Sequence, residues 1–236
     1  MIWLPVLNAQ NFIEQQLQYP RVRAAKESSH RNILNLYQKQ NISFPGKIFF
    51  RAFKSEQLLE VWAEVNTDSF KLVKTYDICA ISGSLGPKRK QGDGQVPEGF
   101  YFIELFNPRS HYLLSLKINY PNESDEKIST HPDLGGDIFI HGRCVTIGCL
   151  PMTDEKIEEI YWWCVLAKNS GQSRIPVHIF PFRMEPEIFN RSAEMLNIPK
   201  PLAAFWSNLQ IGYEYFEEKK KIPAVSVDPD GAYLFR

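Results

Sequence analysis

The chain carries no excess charge, with 27 Lys and Arg against 27 Asp and Glu over 236 residues. A nucleic-acid binder usually shows a strongly basic domain, so composition gives no reason to expect that class of partner. No uninterrupted apolar run is long enough to cross a bilayer. Internal repeats and low-complexity tracts are missing, which sets aside repeat arrays. Cysteine is scarce. Cys79, Cys144, Cys149 and Cys164 are too few for a disulfide scaffold at this length, and cysteine use alone leaves the compartment open.

What is present is a core-forming chain. Hydrophobic residues make up 44% and aromatics 13%, a balance that favours a strand-rich globular core. The opening Met1–Gln10 is short and apolar and ends at a small residue, Ala9. It fits either the end of a secretory leader lacking its basic start or a buried N-terminal segment. Residues 21–40 predict a helix, with Val22, Ala25, Ile33, Leu34 and Tyr37 on one stripe between Pro20 and Pro45. Strands are expected over 47–53, 58–65 and 70–81, arranged as an antiparallel meander. In the second, Leu59, Val61, Ala63 and Val65 alternate with Glu60, Trp62 and Glu64, the pattern of a half-buried strand. A Gly-, Pro- and charge-rich loop at 82–99 precedes further strands at 100–106, 112–119 and 137–141. Asp154–Lys168 predicts a helix capped by Thr153. A core strand at 175–182, a helix near 202–220 and a short strand near 224–227 complete a β-rich core flanked by helices, an α+β class.

The chemistry concentrates between Gly135 and Asp154. A strand ends on His141-Gly142, and a short loop leads to Gly148-Cys149 ahead of a helix. A cysteine near a helix N-terminus is expected to have a lowered thiol pKa, and a nearby histidine supplies a base. Cys164 and Cys79 lie in apolar-patterned elements and read as core. Cys144 reads as a group beside the site, a disulfide partner or a small buried hydrophobe. His178 reads as structural, and His131 as a residue near a cleft. A soft-metal site from His141, Cys144 and Cys149, with Cys164 or His131 as fourth ligand, is a weak match to known ligand spacings.

His141-Gly142 followed by Thr146-Ile147-Gly148-Cys149 resembles the active-site signature of L,D-transpeptidases with a YkuD-type domain. Gly83-Ser84-Leu85-Gly86-Pro87-Lys88 and Pro97-Glu98-Gly99-Phe100-Tyr101 upstream agree with it. Phe182-Arg183-Met184 and Gly212-Tyr213 downstream agree with the YafK-like branch. Ile147 stands where most of the family has His. The resemblance covers about residues 47–227.

The resemblance implies a sandwich- or barrel-like β catalytic domain at 47–184. An N-terminal segment, 1–46, would precede it and a helical extension, 185–236, would pack on it. It implies a Cys149 nucleophile with His141 as base, His141 oriented by Gly142 or Thr146, and an oxyanion site at the amides of Gly148 and Cys149. Lys88, Arg89, Gly136, Arg143 and Arg183 are the substrate-binding candidates, with Arg suited to carboxylates. The implied partners are peptidoglycan stem peptides, with a wall-attached protein as a further acceptor, in the periplasm or another extracytoplasmic space. No cofactor is expected, because thiolate and imidazole suffice. A hydrolase using the same cysteine, and a non-catalytic wall-binding module, are the competing readings.

Overall fold

A computed structural model describes residues 9–236 apart from Asp68 and Asn197, with the side chains of 9–11, 193 and 194 also left undescribed. The leader reading of residues 1–10 falls almost wholly outside the described residues. Ala9 opens helix α1 (Ala9–Leu17), which is followed by α2 (Pro20–Lys39). Three strands then form the meander, β1 (Ile48–Phe53), β2 (Leu58–Asn66) and β3 (Ser69–Asp77). After the long loop come β4 (Gly99–Asn107), β5 (Ser115–Ile118), the short helix α3 (Glu123–Ile128), β6 (Phe139–His141) and β7 (Leu150–Pro151). Helix α4 (Asp154–Asn169) starts on Thr153, whose side chain accepts from the Lys156 amide at 3.4 Å. Strand β8 (Pro176–Phe180), helices α5 (Pro186–Leu196) and α6 (Lys200–Lys219), and a two-stranded arm, β9 (Val225–Val227) with β10 (Tyr233–Phe235), end the chain.

Eight strands form one sheet in the order β3-β2-β1-β8-β4-β5-β6-β7, an open half-barrel with helices on both faces. β8 lies between β1, to which it runs parallel, and β4, to which it runs antiparallel. Helices α1, α2 and α4 cover one face around a core that includes Ile33, Tyr37, Tyr161, Trp162 and Trp163. Helix α6 and the β9–β10 arm cover the other with Trp206, Leu209, Tyr213, Phe216 and Tyr233.

This second layer corrects the half-buried reading of β2. Glu60 and Trp62 were expected to face solvent and are buried instead. A buried carboxylate requires compensation. Glu60 receives Arg51 at 2.8 Å, Arg183 at 2.7 Å and Trp62 Nε1 at 2.8 Å, and Arg51 reaches Glu217 of α6. The network ties the sheet to the helix that buries it.

Candidate active site

The sheet edge delivers the site. Ser115 of β5 pairs with His141 at the end of β6, and β7 runs parallel beside β6 with Ile140 opposite Leu150. Cys149 immediately precedes β7, so the strand pairing folds the short loop back and holds both groups at one edge. The intervening loop turns sharply. Arg143 and Cys144 both hold left-handed backbone, with φ of 68° and 38°, an uncommon conformation for residues with a Cβ. Gly142 is required by close approach: a Cβ there would stand 2.7 Å from Asp154 Oδ1 and 2.8 Å from the Tyr112 carbonyl. Gly148 sits at φ 135° with its backbone against the Gln95 carbonyl.

His141 is buried, and its Nδ1 lies 2.6 Å from the Gly142 carbonyl. A carbonyl only accepts, so Nδ1 carries the proton and Nε2 is the basic nitrogen. Burial holds the imidazole below its ordinary value of 6.5, against the Gly142 bond, which raises it. The ring of Tyr112 packs on it with centroids 4.6 Å apart and planes tilted by 36°, and the Tyr112 carbonyl accepts from the Gly142 amide at 3.1 Å. Sequence reasoning placed Tyr112 only as the first residue of a strand. It lies in the turn before β5, brought to the imidazole by the Ser115–His141 pairing, a register that no sequence signal marks.

Cys149 is a free, partly buried thiol. The Phe139 amide donates to its sulfur at 3.4 Å, and the sulfur itself donates to the Asp137 carbonyl at 3.6 Å. The expected depression of its pKa is not found. Burial pushes the thiol above its ordinary 9.0, the Phe139 amide and Lys88 oppose this, and Asp137 adds to it. The helix begins only at Asp154, with β7 in between, and a helix field fades within about its first turn.

Thr146 does not touch the imidazole. Its hydroxyl accepts from the amides of Gly148 (3.1 Å) and Cys149 (2.8 Å) and donates to the Cys149 carbonyl at 2.9 Å. The two amides named for an oxyanion site are therefore engaged inside the protein, and Thr146 locks the turn that presents the sulfur.

The candidate cations divide. Lys88 is buried against Asp93 at 2.6 Å, and Arg89 meets buried Asp125 at 2.7 Å. Both anchor the 82–98 loop, which lacks regular backbone pairing and is held by carboxylates. Asp93 also accepts the amides of Arg89, Lys90 and Gln95, and Glu98 takes Lys54 at 2.9 Å. Arg183 is spent on Glu60, far along the sheet from the dyad. Arg143 is exposed beside the dyad with no ion pair among the described residues, and Gly136 faces open space. Those two remain available to a ligand.

Cys79, read as a core residue, is disulfide-bonded to Cys144 with Cα atoms 5.3 Å apart. The bridge removes Cys144 from the soft-metal donor set. Cys164 is buried in α4 and His178 is buried in β8, both as expected of core residues. His131 is exposed, with Nδ1 2.9 Å from the Asp133 carbonyl.

Residues 51–179 match the family model described as the L,D-transpeptidase catalytic domain, YkuD. The chain is 36% identical over 200 residues to a protein of Escherichia coli (strain K12) named "Putative L,D-transpeptidase YafK", covering 84% of this chain and 76% of that protein. Among solved structures, the helical cell shape determining protein Pgp2 of Campylobacter jejuni is similar at a TM-score of 0.45 and 16% identity, covering 78% of this chain and 76% of that one. Bd1075 of Bdellovibrio bacteriovorus is similar at a TM-score of 0.42 and 17% identity, covering 79% and 80%.

Proposed function

This chain belongs to the L,D-transpeptidase catalytic domain (YkuD) family, and from that premise we propose that it is a cysteine acyltransferase acting on peptidoglycan stem peptides, with Cys149 as nucleophile and His141 as base. The observation that carries the reading is the free Cys149 thiol held at the same sheet edge as an imidazole whose Nδ1 is fixed on a carbonyl and whose Nε2 is left as base.

Both groups rest neutral near pH 7, because burial raises the thiol and lowers the imidazole. Nε2 takes the thiol proton as the sulfur attacks the carbonyl of the diamino acid. The imidazolium then protonates the departing D-alanine amine, and an acyl-enzyme on Cys149 remains. The Phe139 amide, which already faces the sulfur, stabilises the thiolate as it forms. Attack by an amine completes a transfer, and attack by water gives the hydrolase alternative. Arg143 and Gly136 line the approach to the dyad on this reading. Residues 47–184 serve as the catalytic unit, with α1 and α2 packed on α4 on one side and the C-terminal helices and arm on the other. The disulfide favours an oxidising, extracytoplasmic location, in keeping with a wall substrate.

The test is mass spectrometry of the intact protein after incubation with tetrapeptide muropeptides. A covalent adduct on the wild type and none on Cys149→Ala is the expected result. Cross-linked products identify a transferase and tripeptide products a hydrolase. Equal product formation by Cys149→Ala sinks the assignment.

A further inference from the structure

Two cavities between the sheet and the C-terminal arm run into each other and share Arg174, Pro176 and Ile222. The larger, about 490 Å³, is lined by Lys47, Arg174, Lys221 and Arg236 and by no Asp or Glu side chain. In a chain with equal numbers of acids and bases, this is a local segregation of charge. Cations gathered around one cavity repel each other unless a counter-charge joins them. Lys47 pairs with Glu64 at 3.0 Å. Arg174, Lys221 and Arg236 have no ion pair among the described residues.

The smaller cavity, about 320 Å³, adds an independent observation. His178 on β8 lines it, is only 3% exposed, and has no hydrogen bond among the described residues. Its neighbours are the rings of Phe49 at 5.3 Å and Phe100 at 4.7 Å. Its ring nitrogens are not sealed in the interior, so an amide or hydroxyl entering the cavity can hydrogen-bond to them. Burial holds the imidazole down at about 3, so it meets the ligand as a neutral donor or acceptor.

We propose that the joined cavities form a second binding groove for an anionic peptide, its carboxylates on Arg174, Lys221 and Arg236 and a neutral amide on His178. Resting on the function proposed above, the occupant is a carboxylate-bearing stem peptide of the same polymer, gripped away from the dyad. An extended ligand is required because Lys221 and Arg236 line one cavity, His178 lines the other beside Glu123, and Arg174 stands where the two meet. β8 is separated from the dyad strands β6 and β7 by β4 and β5, so the groove and the dyad are distinct places on one sheet.

The experiment is calorimetric titration of the full-length Cys149→Ala protein, which has no nucleophile, with a disaccharide-tetrapeptide muropeptide. The same titration is run on Cys149→Ala carrying Arg174→Ser and Lys221→Ser, whose melting temperature is checked against its parent. A second muropeptide should bind each parent chain, roughly fivefold more weakly or not at all in the double replacement, from the loss of two exposed charge contacts. Amidating the muropeptide carboxylates should weaken that second event in the parent to the same degree, a comparison that needs no variant. Equal binding by parent and variant, indifference to amidation, or displacement of the second muropeptide by inorganic phosphate overturns the proposal. A failed acyl-enzyme test with the second event intact would instead sink the catalytic reading and leave the groove standing.

Discussion

Breaking the Cys79–Cys144 bridge should destabilise the protein by about 4 kcal/mol. The two cysteines are 65 residues apart in sequence, and closing a loop of that length removes about 4 kcal/mol of chain entropy from the unfolded state at 25 °C on the loop-closure model. For a chain of this size that corresponds to a drop of roughly 10 °C in melting temperature. The bridge also sits at a sensitive place. Cys144 lies between His141 and Cys149. The amides of Cys79 and Cys144 donate to the carbonyls of Pro151 (3.0 Å) and Met152 (3.4 Å), in the segment that follows Cys149. The bridge therefore holds Arg143 and Cys144 in their left-handed conformations, each costing of order 1–3 kcal/mol when nothing enforces it. Cys144 is solvent-exposed, so a mild reductant reaches the bond. The assay is thermal unfolding with and without reductant, beside Cys79→Ser, with muropeptide turnover followed in parallel. Thiol titration of the unreduced, denatured protein should find two free thiols, Cys149 and Cys164. A melting temperature that moves by less than about 2 °C on reduction would refute the clamp.

Replacing His141 by Ala should lower kcat by at least ~10²-fold, the lower range for loss of a general base, and full turnover in that variant would remove the imidazole from the chemistry. In the wild type the acid limb of kcat/KM should lie below 6.5, the ordinary imidazole value, and alkylation of Cys149 by iodoacetamide should inflect above 9.0; a thiol inflection below neutrality contradicts the neutral resting pair. Tyr112→Ala should raise that acid limb by uncovering the imidazole, and Tyr112→Phe should restore it; identical profiles for all three proteins would leave the ring without a positioning role. His178 is held at about 3 when folded against 6.5 unfolded, so the unfolded chain takes up a proton that the folded one refuses. Stability is lost as pH falls from 6.5 towards 3, by roughly 2 kcal/mol at pH 5. Urea unfolding at pH 7 and pH 5 should show that loss in the wild type and lack it in His178→Phe, while the opposing effect of Asp125, raised to about 6 by burial, cancels between the two proteins.

Elements with a strong period were legible in the sequence. Helices α2 and α4 fall within about a residue of their expected bounds because an apolar stripe and a proline or threonine start are local signals. The meander and β8 were legible for the same reason. What failed depended on distant partners. Alternation along β2 suggested one wet face, and only the arrival of α6 about 140 residues later buries Glu60 and Trp62. Lys88 and Arg89 look like cations free for a substrate until Asp93 and Asp125 are placed against them. The run over 70–81 reads as one strand, yet β3 stops at Asp77, and Cys79 leaves the sheet to reach Cys144. The motif named the dyad, but the roles of Thr146 and Tyr112 depend on turn geometry and strand register that composition does not encode.

The resting charge state of the dyad has a consequence for the bridge beside it. Cys149 is five residues from Cys144, whose sulfur is already oxidised. Thiol–disulfide exchange proceeds through the thiolate, so a cysteine kept as thiolate at this distance in sequence would compete for the Cys79 or Cys144 sulfur and scramble the clamp. Burial, which raises the Cys149 thiol above 9.0, keeps the thiolate rare at rest; on the proposed mechanism it forms only when a substrate is bound and Nε2 of His141 accepts the proton. The same desolvation that overturns the expectation of an activated thiolate thus lets the free Cys149 thiol, the proposed nucleophile, and the Cys144 end of a structural disulfide share one short loop. It follows that any change which hydrates the Cys149 pocket should cost both bridge integrity and control of acylation.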